Sequence, residues 1–336
     1  MKGIAFVLIV FGIALLAETL IFSFAIVENV SRTRHSTEYK VLFEGDELET
    51  YVHSFLRSTD LSLIQSVYDV GKNNVIYDYS LNYYEDGIPY WQIYQQSFVP
   101  SYDTFQKEIS SISHSYINDY IDAFKSYASE SDYSIKITKI SSNPMTEIGD
   151  GKITISTQVE NQVQFTRSTK IGNKDLAIER SIPADSSLSI NFKSIVELAK
   201  QIIDDNLIYN TIEGESDQNS AQKKLDNLAA SLSDDTILVN FTVVDYQNAV
   251  NNFKAIVLVE ISDKANNYSI YSYSQDQVIS DRLGVKFYSK VGTLVDNNDQ
   301  YFPQELNNFS DCVTGEIGVI SLRSPEIICK SLTNFS

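Results

Sequence analysis

The 336-residue chain carries 26 Lys and Arg against 44 Asp and Glu, a formal charge of −18. That balance excludes a nucleic-acid role, which needs a basic face to neutralise phosphate. Beyond a leader, the length leaves roughly 300 residues, enough for one large or two ordinary domains with real cores.

The first element in chain order is Ile4–Val27, IAFVLIVFGIALLAETLIFSFAIV, with one charge, Glu18, in 24 positions. As a helix rising ~1.5 Å per residue it covers the ~30 Å hydrocarbon layer of a bilayer. A cleaved signal has a shorter apolar core and a small-residue cut site, whereas here apolar residues resume directly after Glu18. The stretch therefore predicts an uncleaved transmembrane helix. An ionisable group at that depth costs ~2.5–3.5 kcal/mol on insertion scales, so Glu18, with Thr19 and Ser23 near it on the helix, predicts a polar contact with another span. Snorkelling of Glu18 to an interface is the competing reading. Lys2 precedes the span, and Arg32, Arg34 and Lys40 follow it. A count of positive flanks would put the following domain in the cytoplasm, but long domains translocate largely regardless of such charges. The acidic, Ser-, Asn- and Tyr-rich body suits an extracytoplasmic setting.

Leu48, Tyr51, Val52, Phe55 and Leu56, then Leu63, Ile64, Val67 and Tyr68, recur with helical spacing and predict an amphipathic helix closed at Gly71. An aromatic segment follows, from Tyr77 to Tyr102, punctuated by Glu85-Asp86-Gly87, Pro89 and Pro100. Rings with an apolar face and a polar tip suit sugar or protein contacts, which makes Tyr83, Tyr84, Tyr90, Trp91 and Tyr94 candidate contacts for a ligand or partner. The competing reading is a long loop pinned to the core by its own aromatics.

Helix returns over 101–128, followed by strands at 133–140 and from Lys152. The second half shows the same order, with helical patterns over 194–209 and 218–232 and strands at 236–244, 253–262, 267–274 and 284–291. Ser131-Asp132 and Ser233-Asp234 precede strands at an offset of 102 residues, and so do Lys152 and Lys254. The offset is consistent with a duplicated helix-then-sheet unit. The predicted fold class is α+β: a transmembrane helix, then helices packed on antiparallel sheets. The predicted domains are an anchor with its juxtamembrane helix over 1–35, a first α+β unit over 36–182 and a second over 183–336.

Lys2-Gly3 running directly into a long apolar helix and then a large domain resembles archaeal type IV pilins, archaellins and related N-terminally anchored surface proteins. The resemblance covers about the first 30 residues. It implies a peptidase cut after Gly3, packing of apolar helices between subunits, and pilin-like partners. The chain departs from the bacterial-type pattern at Leu8, where that pattern places an acid.

Cys312 and Cys329, the only cysteines, lie 17 positions apart and predict a disulfide if the domain is exported. The five Asn-X-Ser/Thr sequons, at Asn29, Asn240, Asn267, Asn308 and Asn334, are about as many as chance gives and carry little weight. Asp296, Asn298 and Gln300 have the spacing of an oxygen-ligand loop, but Tyr301 stands where an EF-hand requires glycine. No serine-hydrolase elbow, zincin, P-loop or dinucleotide motif is present in the sequence, and no cofactor or metal is expected. Of the three histidines, His35, His53 and His114, the last two lie in helical patterns and read as structural.

The expected function is therefore a single-pass, membrane-anchored extracytoplasmic surface protein with a structural or adhesive role. The alternative is a membrane-anchored glycoside hydrolase of envelope polysaccharide, with a surface glycan bound by Tyr77–Tyr102 and a carboxylate pair cutting it.

Overall fold

The computed structural model describes residues 45–46, 48–73, 83–85, 88–130, 135–171, 174–249, 252–272, 275 and 277–293. The expectations for Ile4–Val27 with Glu18, Thr19 and Ser23, for the loop at 296–300, and for Cys312 and Cys329 lie outside the described residues. Among the described residues, no helix is long and apolar enough to cross a membrane.

The described chain is a mixed α+β protein. Helix α1 (48–71) buries Leu48, Val52, Phe55, Leu63, Val67 and Val70, the face its spacing predicts. That face also carries buried Ser62 and Ser66, whose hydroxyls donate back to the carbonyls of Ser58 and Ser62 at 2.8 and 2.6 Å. Helix α2 (Tyr102–Glu130) reaches this row through Ser113, whose Oγ donates to Ser66 Oγ at 3.0 Å.

Fourteen strands are assigned among the described residues. They are β1 (Tyr83–Glu85), β2 (Ile88–Ile93), β3 (Gln96–Ser97), β4 (Ile135–Ile137), β5 (Met145–Gly149), β6 (Lys152–Ser156), β7 (Val163–Ile171), β8 (Lys174–Ile182), β9 (Ser186–Ser189), β10 (Ile237–Ala249), β11 (Asn252–Asp263), β12 (Tyr268–Ser272), β13 (Gln277–Asp281) and β14 (Gly284–Gly292). Helices α3 (Phe192–Asp204), α4 (Leu207–Ile212) and α5 (Gln218–Leu232) lie between β9 and β10. The helical pattern over 194–209 is interrupted at Asn206, which takes a left-handed conformation (φ 51°) and separates α3 from α4.

The described residues fall into two compact units that interleave along the chain. The first takes residues up to Phe55, Asp122–Thr138 and Gln164–Ile182. It contains the sheet β4-β7-β8, with Phe55 edge-on to Phe165 at 5.5 Å and Glu49 paired with Arg180 at 3.0 Å. The second takes Leu56–Ile121, Lys139–Val163 and residues from Pro183 on. It contains the sheet β1-β2-β14-β11-β10, with β3 beside β2, together with the sheet β5-β6-β9 and the hairpin β12-β13. Pairing is antiparallel except that β2 lies parallel to β14. The pairing does not repeat at the 102-residue offset: β4 pairs with β7, whereas β10 pairs with β11.

In the larger sheet, Trp91 of β2 stacks on Phe287 of β14, centroids 4.4 Å apart, and meets Phe105 of α2 edge-on. Phe105 in turn meets Phe192 of α3 edge-on at 5.3 Å. These rings, all fully buried, join two strands to two helices. At the end of α1, a Cβ on Gly71 would stand 2.0 Å from the Gly284 carbonyl oxygen, and one on Gly284 would stand 2.0 Å from that of Ile261. Glycine is required at both places by close backbone approach.

Strand β10 is the edge of that sheet, and side chains from α5 and its C-terminus bond to its outer backbone groups. Gln222 Nε2 donates to the Phe241 carbonyl and the Val243 N–H donates to Gln222 Oε1, both at 2.8 Å. Gln218 Nε2 donates to the Val243 carbonyl at 2.8 Å, and Ser233 Oγ accepts from the Val239 N–H at 2.9 Å. A glutamine amide carries the same donor and acceptor as a peptide, so Gln222 stands in for a neighbouring strand. The substitution Gln222→Leu leaves a carbonyl and an N–H without those partners. It is expected to cost about 2 kcal/mol by urea denaturation and to increase concentration-dependent self-association in sedimentation runs.

Candidate functional site

The last turns of α1 bring Gln65, Tyr68, Asp69, Lys72 and Asn73 to one side of the helix, at i, i+3, i+4, i+7 and i+8. Lys72 follows the helix C-terminus, where the peptide dipoles favour a cation. Its Nζ lies 2.5 Å from Glu260 Oε1 on β11, and 3.1 and 3.2 Å from the two carboxylate oxygens of Asp281 at the end of β13. The Lys72 side chain is only 4% exposed, and the two acids are 33% exposed. The Tyr68 ring centroid lies 6.0 Å from Lys72 Nζ. Burial first, then the charge of Asp281, holds the Tyr68 phenol well above its ordinary range, so it stays a donor. One cation between two carboxylates ties the end of α1 to two strands. Desolvation offsets much of the attraction in such a group, so it acts through positioning rather than large net stabilisation.

Asp69 lies one residue along, itself buried. Its carboxylate accepts from the Tyr116 hydroxyl of α2, from Asn73 Nδ2 at 2.6 Å and from Gln65 Nε2 at 3.1 Å. Burial nevertheless dominates these three donors and raises its pKa from 3.8 to about 6. Gln65 also binds the edge of β12: its Nε2 donates to the Tyr271 carbonyl at 3.0 Å and its Oε1 accepts the Tyr271 N–H at 2.9 Å. Through Gln65 the buried acid is therefore connected to the β12-β13 hairpin that carries Asp281.

The aromatic candidates are placed differently from one another. Trp91 is fully buried beneath Phe287 and Phe105, and Tyr90 is buried against Tyr288 at 5.3 Å. No face of Trp91 is open for a sugar to stack on. Tyr94 is half-buried in the two-residue turn between β2 and β3, with Lys290 Nζ 5.5 Å from its ring centroid. It takes a positive φ of 54°, where glycine is the ordinary choice and a side chain costs about 1–2 kcal/mol. Tyr83 and Tyr84 contribute backbone to β1, and their side chains lie outside the described residues. The structure thus seats Tyr90 and Trp91 in the core and leaves Tyr94 at its rim.

Of the two histidines expected to be structural, His114 is so placed and His53 is not. His114 Nε2 lies 3.1 Å from the Ile140 carbonyl and 3.0 Å from Asn118 Nδ2, while His53 is exposed on α1. No group of three or more His, Cys, Asp or Glu able to hold a metal occurs among the described residues. The Lys72 and Asp69 groups were not singled out in the sequence, although VYDVGK places an acid and a lysine at the end of an apolar helical stripe. The partners of Lys72 lie 188 and 209 residues away, beyond any local pattern.

Compared with protein-family models, with curated proteins and with solved structures, the chain matches none.

The Asp69 environment gives a pH dependence of defined sign. Between about pH 4 and pH 6 the native state holds a proton on Asp69 that the unfolded chain has released, so this group's contribution to stability falls as pH rises through the window. The full effect is on the order of 3 kcal/mol. Urea titrations at pH 4, 5, 6 and 7 are expected to show this slope in the parent protein and its loss in Asp69→Asn; parallel curves for the two proteins would contradict it.

Proposed function

We propose that this is a single-pass, membrane-anchored protein whose bulk lies outside the membrane and serves a structural or adhesive role at the cell surface. The observation that carries the reading is Ile4–Val27, with a single charge in 24 residues and a helical length matched to a bilayer. The resemblance of Lys2-Gly3 and the following apolar stretch to archaeal pilin-like proteins supports assembly with like subunits through the membrane, where Glu18, Thr19 and Ser23 supply the polar contact. The strong negative charge suits a body held in solvent and kept from non-specific association.

The packing of the aromatic segment supports a scaffold over a sugar cleft. Trp91, the chain's single tryptophan and the obvious platform for a sugar ring, is used to join β2 to β14 and α2. An adhesive contact would draw instead on residues at the surface, with Tyr94 at the margin of that segment.

Two measurements test the proposal. Protease added to intact cells is expected to digest the bulk of the chain, and the protein is expected to stay with the membrane pellet after carbonate washing; a protected or soluble chain overturns it. For the assembly role, Glu18→Gln is expected to reduce crosslinking between neighbouring spans several-fold, and undiminished crosslinking removes Glu18 from that role.

A further inference from the structure

We propose that Lys72 and Asp281 form an intramolecular isopeptide bond, with Glu260 relaying the protons. The three side chains stand within reaction distance of one another. Lys72 Nζ is nearly equidistant from both Asp281 oxygens, at 3.1 and 3.2 Å, which puts the carboxyl carbon between them at about 3–3.5 Å, the range of a near-attack contact. The amine is enclosed, with its side chain 4% exposed, so it is held at that carbon rather than sampling solvent.

The surroundings are arranged around Asp281 as acceptor. The Arg282 backbone N–H donates to Asp281 Oδ1 at 2.7 Å. A fixed backbone donor on a carboxyl oxygen serves the tetrahedral intermediate, in which negative charge gathers on oxygen. Glu260 stands apart from this donor and closest to the nitrogen, at 2.5 Å, the place of a proton carrier.

The reaction balances with no oxidant, reductant or activated donor. The C–N bond forms as Nζ attacks the Asp281 carboxyl carbon, and the bond from that carbon to one carboxyl oxygen breaks. Of the three ammonium protons, one stays on the amide nitrogen and two depart with the oxygen as water. Glu260 accepts and returns protons and ends in the state in which it began. The product removes one positive and one negative charge and covalently ties the end of α1 to β13, across 209 residues of sequence.

The test is peptide mapping by mass spectrometry on the full chain purified in detergent. The expected result is a branched species joining the Lys72 and Asp281 peptides, lighter than their sum by one water, in nearly all molecules. Lys72→Arg is expected to abolish the branch. Glu260→Gln, which keeps the shape of the side chain, is expected to leave the two peptides separate while near-UV circular dichroism stays that of the parent. Unlinked Lys72 and Asp281 peptides from the parent protein overturn the proposal. A link from Lys72 to Glu260 overturns the assignment of the acceptor, and a branch that persists in Glu260→Gln overturns the relay. None of these outcomes depends on where in the cell the protein resides.

Discussion

A strand at the margin of a sheet leaves a row of N–H and carbonyl groups that must be satisfied, and this fold divides its strands among several small sheets. Side-chain amides meet that demand in several places. Gln222 binds the Phe241 carbonyl and the Val243 N–H of β10, and Gln65 takes both backbone groups of Tyr271 on β12. In the loop between β4 and β5, Ile140 is bound in the same way by Asn118, and Ser142 by Asn161. A side-chain amide presents peptide-like hydrogen bonds without extending a ladder. The abundance of Asn and Gln, which in the sequence reads only as polarity, therefore serves partly to terminate sheets.

The end of α1 applies the same economy to charge. In a chain with 18 more acids than bases, Lys72 is placed between two of the acids and shielded from water. Close by, Asp69 receives three hydrogen bonds, all from uncharged groups, and burial prevails over those donors. Two acidic environments within one turn of helix thus differ in kind: one is compensated by charge and one by dipoles. Gly71 lies between them in sequence and lets the helix end come close to the backbone of β14.

The sequence was most legible where burial is one-sided and local. The α5 pattern over 218–232 agrees with the observed helix, and the apolar stripe of α1 marks its buried face. The α3–α4 region carries one helical pattern because Asn206 differs little in polarity from its neighbours, and only its left-handed conformation makes the break. Strands such as β13, QVISD, and β8, KDLAIERSI, are too short or too mixed in polarity to show a clear period of two. The parallel position of β2 beside β14 was illegible because its partner is separated by about two hundred residues, and the same separation hid Glu260 and Asp281 from Lys72. Trp91 was ambiguous for a different reason: an aromatic serves equally well in a core or at a binding face until its neighbours are known.

The pairing of β2 with β14 also sets a condition on biosynthesis. Gln92 and Ser289, hydrogen-bonded across that pair, are 197 residues apart. At about 5–20 residues per second, a ribosome takes on the order of 10–40 s to supply the second strand after the first. Throughout that interval the indole of Trp91 waits without Phe287, on a nascent chain whose central sheet cannot yet close. The folding of this body is thereby postponed until translation has nearly reached its last described strand, and for that time the aromatic segment around Trp91 lacks the partners that bury it.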